Sequence, residues 1–186
     1  YRDKDVCVVG GANSAGQGAL FFSRYARSVT ILIHSESLGD SMSRYLIDRI
    51  ESTANIKVLS NVEVQCANGE TSLESVAVKS VKTGEVQTLP MSAMFIFIGV
   101  QPHTEWFAGL VERDEAGFVY TGADLPQEHG RPRGWTLERL PFMFETNIPG
   151  VFAAGDVRAG SNRRVAAAVG EGSATIHSVH RYLLTV

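Results

Sequence analysis

The residues with the clearest chemical meaning form a turn of small side chains near the start of the chain. They are Gly10, Gly11, Ala12, Asn13, Ser14 and Ala15. In the pattern G-x-G-x-x-G/A, Gly10 makes the tight turn, while Ala12 and Ala15 occupy the second and third small positions. Small residues let backbone N–H groups approach a pyrophosphate, whose charge the N-terminus of a following helix stabilises. The pattern predicts a dinucleotide site narrowed by the methyl group of Ala12; a turn that only permits close packing is the alternative.

A second candidate site is centred on Asp156, which follows Gly155 after the apolar run 151–154. A carboxylate at the carboxyl end of a buried parallel strand can accept a hydrogen bond from a sugar-type hydroxyl. The helix expected to begin near Asn162 brings free N–H groups and positive charge, which suit an electron-rich ring oxygen or an anion. The residues at that helix start are Arg163, Arg164, Val165 and Ala166. An ordinary Gly-Asp turn is the alternative.

The choice between NADH and NADPH is expected at the end of the second strand, where His34, Ser35 and Glu36 follow one another. An acidic residue there binds a ribose 2′-hydroxyl, and arginines accept a 2′-phosphate. His34 and Ser35 can hydrogen-bond either group, Glu36 would repel a phosphate if it faced inward, and Arg44 is the nearest downstream cation. The residues therefore leave both NADH and NADPH open.

Buried strands and amphipathic helices must position these groups. Apolar runs at 6–9, 29–33, 56–59 and 94–98 are typical of parallel strands covered on both faces. Helices are predicted after the small-residue turn, with Asn13 or Ser14 as the capping residue, and over residues 38–50. Short segments at 62–64, 73–78 and 86–89, separated by Asn68-Gly69 and Thr83-Gly84, predict an inserted three-stranded antiparallel meander. The fold class is therefore α/β with a Rossmann-like parallel sheet.

The organisation changes near Val100. We predict that residues 1–100 form an NAD(P)H-binding domain and that residues 101–186 belong to a different unit. In the second part, strands are predicted at 117–121 and 151–154, a long polar loop at 122–141 and a helix from about Asn162 to Leu184.

Composition excludes several other functions. The net charge of −3 is too small to indicate nucleic acid or an anionic membrane. No apolar run approaches the roughly 20 residues that span a bilayer. The two cysteines, Cys7 and Cys66, lack metal-ligand spacing and fit a reducing cytosol. No side chain is predicted to be catalytic, and no metal site is predicted.

Three motifs, taken in order, carry a family resemblance. Residues 8–15, 97–104 and 153–172 resemble the C-terminal portion of the thioredoxin reductase family. Within that family, residues 38–46 and 121–125, with Trp135, Leu137 and Arg139, resemble modules fused to cyclic-nucleotide-binding domains.

The resemblance implies roles for the candidate residues. Residues 10–15 would hold the NAD(P)H pyrophosphate, and Gly99 would lie at the crossover from the nicotinamide domain to the FAD domain. Gly155 and Asp156 would contact the FAD ribityl–pyrophosphate region, and residues 163–166 would lie by the isoalloxazine. Residues 101–186 would then be the C-terminal segment of an FAD-binding domain. The expected activity is hydride transfer from NAD(P)H to FAD in a cytoplasmic homodimer, whose acceptor is a thioredoxin-like or ferredoxin-like redox protein.

The departures from the family pattern leave alternatives open. The chain has no C-x-x-C, and His34-Ser35 replaces the basic pair that the family uses for the NADPH phosphate. The acceptor is therefore a disulfide, a ferredoxin or another group, and a non-catalytic nucleotide-binding regulatory domain is a further alternative. We also expect the N-terminal half of the FAD domain to be missing here, so that residues 101–186 lack their pairing partner and the chain alone is inactive.

Overall fold

A computed structural model describes all residues from 1 to 186, which form two compact units. The N-terminal unit is Tyr1–Gly99 and the C-terminal unit is Val100–Val186. The strands of the N-terminal unit are β1 (Asp5–Val9), β2 (Ser28–Leu32), β3 (Ile56–Leu59), β4 (Val62–Asn68), β5 (Ser75–Ser80), β6 (Val86–Pro90) and β7 (Ala93–Ile96). Its helices are α1 (Asn13–Phe22) and α2 (Arg44–Glu51).

The central sheet of the N-terminal unit has the order β3-β2-β1-β7, and all its neighbouring strands are parallel. β1 lies inside the sheet, so successive side chains are buried on opposite faces. Val6 and Val8 pack with the helices, whereas Cys7 packs with the meander. The chain leaves β1 towards β2, while β7 adds on the other side of β1. The strand order therefore reverses between β1 and β7.

The inserted meander has the order β4-β5-β6, and both of its pairings are antiparallel. Val62, Val76 and Val78 bury one face of it against Cys7 and Leu32 of the central sheet. The predicted meander is therefore present, with a longer first strand than expected and a second strand that begins two residues later. Its outer face is exposed, as in other antiparallel sheets that cover one core.

The single helix predicted over residues 38–50 is wrong. A 3₁₀ turn over Leu38–Asp40 is followed by α2, which begins only at Arg44. The side chain of Ser37 accepts a hydrogen bond from the N–H of Gly39, and such local bonds compete with helix formation. The apolar spacing still has its expected effect. The spacing predicted one apolar face formed by Leu38, Met42, Tyr45, Leu46 and Ile50, and all of these except Tyr45 are buried.

The C-terminal unit contains a short hairpin of β8 (Gln127–Glu128) and β9 (Arg131–Pro132), 3₁₀ turns and the long helix α3 (Val165–Leu183). The hairpin lies inside the segment predicted as an irregular loop. Helix α3 begins at Val165 instead of Asn162 because Arg164 is extended, with φ −133° and ψ 143°. No helix of the structure is both long enough and apolar enough to cross a membrane.

The two strands predicted in the C-terminal unit do not form. Val119 makes isolated bridges to Arg113 and Arg158, and Phe152 makes one to Glu145. Neither segment has a continuous extended neighbour in this chain, so no ladder of hydrogen bonds develops. The helical spacing of Val165, Val169, Ile176, Val179 and Leu183 predicted one apolar face of the last helix. Val165 (84% exposed) and Val169 (67%) are nevertheless exposed, as is Val151. Apolar patterning alone therefore predicted strands that residues 100–186 do not form and a buried helix face that they do not cover.

The two cysteines differ in reactivity. Cys7 is fully buried on β1, and this burial raises the pKa of its thiol to about 11. Cys66 is exposed on β4, with its sulfur 2.8 Å from Oδ1 of Asn68. Because the thiolate is the reactive form, we expect a thiol-specific reagent at neutral pH to modify Cys66 quickly and Cys7 only after unfolding. Counting modified thiols over time would show this, with Cys66→Ser as the control; rapid modification of both would contradict it.

Candidate dinucleotide site

A cavity of about 580 Å³ opens at the carboxyl ends of β1, β2 and β7. Residues of the small-residue turn and of the second strand end line it: Gly10, Gly11, Ile33, His34 and Ser35. The cavity lies where the strand order reverses between β1 and β7. In open α/β sheets, ligands bind in the crevice at this switch point. The N-terminal unit thus brings both sets of predicted residues to one groove.

Gly10 is required by the backbone. Its φ is +134°, and a Cβ atom there would lie 2.4 Å from the carbonyl oxygen of Phe97. The N–H of Gly10 donates to the carbonyl of Leu32 at 3.0 Å, which holds the turn against β2. Gly10 makes the predicted tight turn. Both its positive φ and the nearby Phe97 carbonyl, just after β7, exclude a side chain at this position.

The start of α1 offers unsatisfied backbone donors. The residue that precedes the helix is Ala12, with φ −95° and ψ 180°, and no side chain caps the helix. The prediction that Asn13 or Ser14 caps α1 is wrong. The first turn carries no acidic residue, and the N–H groups of residues 13–15 have no acceptor within the helix. The extended conformation of Ala12 suits any L residue, and alanine at the second small position therefore causes no backbone strain.

A serine-rich network, which sequence reasoning missed, fixes the turn to the entry of α2. Oδ1 of Asn13 accepts hydrogen bonds from the N–H and the hydroxyl of Ser43 at 2.8 and 2.9 Å. The hydroxyl of Ser41 donates to the carbonyl of Gly11 at 3.1 Å. Asn13 is thus a positioning residue of the turn. The only signal in the sequence was two serines beside a helix start, which carries no information about a partner 30 residues away.

Close packing of α1 on the entry of α2 supports the same arrangement. A Cβ at Gly16 would lie 2.8 Å from the sulfur of Met42, so the absence of a side chain at this position lets the two elements meet. Ala15, the third small position, is fully buried in the same core. The small residues after Gly10 therefore set the approach of α1 to its neighbours.

At the end of β2, the polar residues are held in specific pairs. His34 is exposed, and the hydroxyl of Ser35 donates to the carbonyl of Ser37 at 3.0 Å. Glu36 forms an ion pair of 2.7 Å with Lys82, and the hydrogen bond from Lys82 lowers the pKa of the Glu36 carboxyl. Arg44 pairs with Asp48 along α2 at 2.8 Å, so its guanidinium is engaged on its own helix. Lys82, in the turn between β5 and β6, was not predicted.

The C-terminal unit holds the other predicted residues. Gly155 has φ +76°, and its N–H donates at 2.7 Å to the carboxylate of Glu171 on α3. Glu171 also accepts from Arg158 at 2.8 Å; chiefly this bond lowers the pKa of the Glu171 carboxyl. The carboxylate of Glu171 thus links the turn that carries Asp156 to α3. Glu171 lies within the motif at residues 153–172, but no role was predicted for it.

Asp156 itself is exposed, as are the residues at the start of α3. No side chain caps α3, and its first turn contains no acidic residue. The guanidinium of Arg163 lies 4.0 Å from the ring centre of Phe118. Gly99 is exposed with φ +89° and is the last residue of the N-terminal unit. No group of three or more His, Cys, Asp or Glu side chains is placed to hold a metal ion.

The parallel sheet, the glycine turn before α1 and the groove at the switch point define a Rossmann-type α/β fold. The chain belongs to the pyridine nucleotide-disulphide oxidoreductase family, whose sequence pattern matches residues 1–172. This membership confirms the predicted family, and the α/β fold class with its inserted meander is confirmed as well.

Relatives and solved structures agree with this assignment. The chain is 33% identical over 183 residues to a thioredoxin reductase of Streptomyces clavuligerus, covering 98% of this chain and 51% of the relative. It is 32% identical over 183 residues to the 34.2 kDa protein in the rubredoxin operon of Clostridium pasteurianum, covering 98% and 53%. The crystal structure of Lactococcus lactis thioredoxin reductase matches with a TM-score of 0.72 and 29% identity, covering 100% of this chain and 55% of that one. The chain therefore spans about half the length of the curated relatives it matches.

Proposed function

We propose that the N-terminal unit binds a pyridine nucleotide in the groove and that the C-terminal unit is part of an FAD-binding domain. The whole protein would transfer hydride from NAD(P)H to FAD and on to a disulfide or another acceptor. The observation that carries the proposal is the uncapped start of α1 three residues after Gly10, which itself lines the groove at the switch point of the sheet.

The groove suits a dinucleotide in size and chemistry. Its volume of about 580 Å³ lies within the usual range of small-molecule sites. The N–H groups at the start of α1 would hold the pyrophosphate, because they have no intrahelical acceptors and the helix dipole favours negative charge. His34 and Ser35 line the same groove and would face the adenosine end. The network of Asn13 with Ser43 keeps the turn in place for this contact.

The C-terminal unit offers a comparable arrangement for FAD. Gly155 turns the chain at positive φ, Asp156 is exposed, and α3 starts without a cap or an acidic residue. Asp156 would accept a hydrogen bond from a flavin hydroxyl, and residues 163–166 would lie by its ring. When bound, FAD would supply the hydride-accepting chemistry, while the protein supplies position and electrostatics. Glu171 and Arg158 would keep the Gly155 turn fixed.

The proposal includes a further polypeptide segment that completes the flavin domain. Several apolar residues of the C-terminal unit are exposed, including Val151, Val165 and Val169. We infer that these side chains belong to an interaction surface, since large exposed apolar patches mark such sites. The N-terminal half of an FAD domain would cover it, in accordance with the longer relatives. The names of those relatives, thioredoxin reductases, favour a disulfide as the acceptor.

Calorimetric titration of the 186-residue chain with NADH, NADPH and FAD tests the proposal. Both tryptophans, Trp106 and Trp135, lie in the C-terminal unit, so heat or nucleotide fluorescence is the appropriate signal for the groove. We expect binding of a pyridine nucleotide and no tight binding of FAD by this chain alone. Absence of any nucleotide binding would refute the site. Nucleotide binding without flavin reduction in the full-length protein would favour a regulatory domain instead.

A further inference from the structure

We propose that the Glu36–Lys82 ion pair makes the groove select an unphosphorylated ribose, and therefore NADH over NADPH. This inference rests on the proposed nucleotide site. Glu36 directly follows Ser35, which lines the groove, and its carboxylate lies 2.7 Å from Nζ of Lys82. The pair joins the end of β2 to the turn between β5 and β6, which are separated by 46 residues in the sequence.

Backbone hydrogen bonds build the position of Lys82. The N–H of Asn61 donates to the carbonyl of Ser35 at 3.0 Å, and the carbonyl of Asn61 accepts from the N–H of Val81 at 2.8 Å. Asn61 adopts φ +57°, a left-handed conformation that asparagine tolerates. The residue that follows Val81 is Lys82. Two successive main-chain links therefore hold the meander turn against the strand end and bring the ammonium group to Glu36.

Two cations of the N-terminal unit, Arg44 and Lys79, already have carboxylate partners. Arg44 pairs with Asp48 at 2.8 Å, and Lys79 pairs with Glu63 at 3.8 Å. The hydroxyl of Ser35 donates its hydrogen bond to the carbonyl of Ser37. A 2′-phosphate is bound through charge-assisted hydrogen bonds to cationic donors. To obtain such a bond from Lys82, the phosphate would have to take the ammonium group from Glu36 and leave that carboxylate beside a dianion.

A ribose with a free 2′-hydroxyl avoids this conflict. Its hydroxyl can donate to Glu36 while Lys82 continues to neutralise the carboxylate. Acidic residues perform this role at the second strand end of NAD-binding Rossmann domains. The Glu36 carboxylate thus repels the 2′-phosphate of NADPH and also accepts a hydrogen bond from the 2′-hydroxyl of NADH. Both effects favour the unphosphorylated nucleotide.

Dissociation constants for NADH and NADPH, measured by calorimetry on the 186-residue chain and its variants, test the inference. We expect the unmodified chain to prefer NADH by about tenfold or more. Glu36→Gln should bring the two constants closer by about tenfold, since the repulsion of the phosphate is lost. Lys82→Gln should increase the preference for NADH, because the Glu36 carboxylate is no longer neutralised and repels the 2′-phosphate of NADPH more strongly.

The control is Glu85→Gln, which removes a carboxylate from the same hairpin, where Glu85 contacts Thr83. Its ratio of dissociation constants should equal that of the unmodified chain. A preference for NADPH, or an unchanged ratio in Glu36→Gln, would overturn the inference while leaving the nucleotide site intact. Failure of both nucleotides to bind would overturn the site and the inference together.

Discussion

Replacing Gly10 by alanine is expected to abolish nucleotide binding and to destabilise the N-terminal unit by about 3 kcal/mol or more. The new Cβ would lie 2.4 Å from the carbonyl oxygen of Phe97, which is a backbone atom and cannot rotate away. The φ of +134° adds strain for any L side chain. Because β1 and the turn must separate from β7 to make room, the start of α1 would lose its place in the groove. Calorimetry with NADH and the rate of Cys7 modification would measure the two effects.

Two glycines provide matched controls for this substitution. Gly84 has φ +77° but no atom within 4 Å of the added Cβ, so Gly84→Ala isolates the conformational cost. At Gly11, the added Cβ would make an ordinary contact of 3.4 Å with Ile33, so Gly11→Ala tests the loop without a clash. Both variants should keep Cys7 protected. If Gly10→Ala bound NADH with unchanged affinity, the close approach to Phe97 would have no part in shaping the site.

The N-terminal unit could be predicted from the sequence because its signals are local. Buried parallel strands are continuous apolar runs, and each ends at a residue that must turn the chain, such as Gly10. The short segments separated by Asn68-Gly69 and Thr83-Gly84 likewise indicated a meander. These features depend on the spacing of neighbouring residues, so an element could be inferred before its partner was known.

The errors concern features that depend on distant residues. Residues 151–154 have the composition of a buried strand, but a strand requires an extended neighbour, which the C-terminal unit does not supply. The break at residues 41–43 involves bonds to Gly11 and Asn13, about 30 positions earlier, in addition to the local bond between Gly39 and Ser37. Lys82 reaches Glu36 only through the path of the meander. The resemblance to modules fused to cyclic-nucleotide-binding domains stays a prediction, as do the individual cofactor contacts.

Glu145 is a structural residue of the C-terminal unit for which the sequence predicted no role. It is fully buried, and both of its oxygens are bonded to Arg139, at 2.7 and 2.9 Å. The N–H groups of Phe142 and Gly150 also donate to it, at 2.7 and 2.9 Å. The Arg139 guanidinium lies 4.2 Å from the ring centre of Phe142. The end of the predicted polar loop, residues 122–141, is therefore held by the ion pair between Arg139 and the buried Glu145 just beyond it.

Glu145→Gln is expected to lower the free energy of unfolding of the C-terminal unit by about 3–5 kcal/mol. The amide group would place a donor against Arg139 or a backbone N–H, and the guanidinium would lose its counter-charge. Urea unfolding followed by tryptophan fluorescence measures this change, because Trp135 donates to the carbonyl of Arg139 at 2.6 Å. The control is Glu112→Gln, because the Glu112 carboxylate lies 3.8 Å from the exposed Arg133. This substitution should lower the free energy of unfolding by less than about 1 kcal/mol.

The pH dependence gives an independent test of the same pair. Burial raises the pKa of the Glu145 carboxyl, but Arg139 and the two N–H donors outweigh burial and hold it below the ordinary 4.5. A carboxyl whose pKa is lowered on folding contributes stability above its unfolded pKa and loses it as the pH falls through the folded value. The C-terminal unit should therefore lose stability progressively below about pH 4.5. In Glu145→Gln this loss should be smaller, since the amide does not titrate. Equal pH profiles for the two proteins would mean that other carboxylates, such as Glu171 with Arg158, govern acid unfolding.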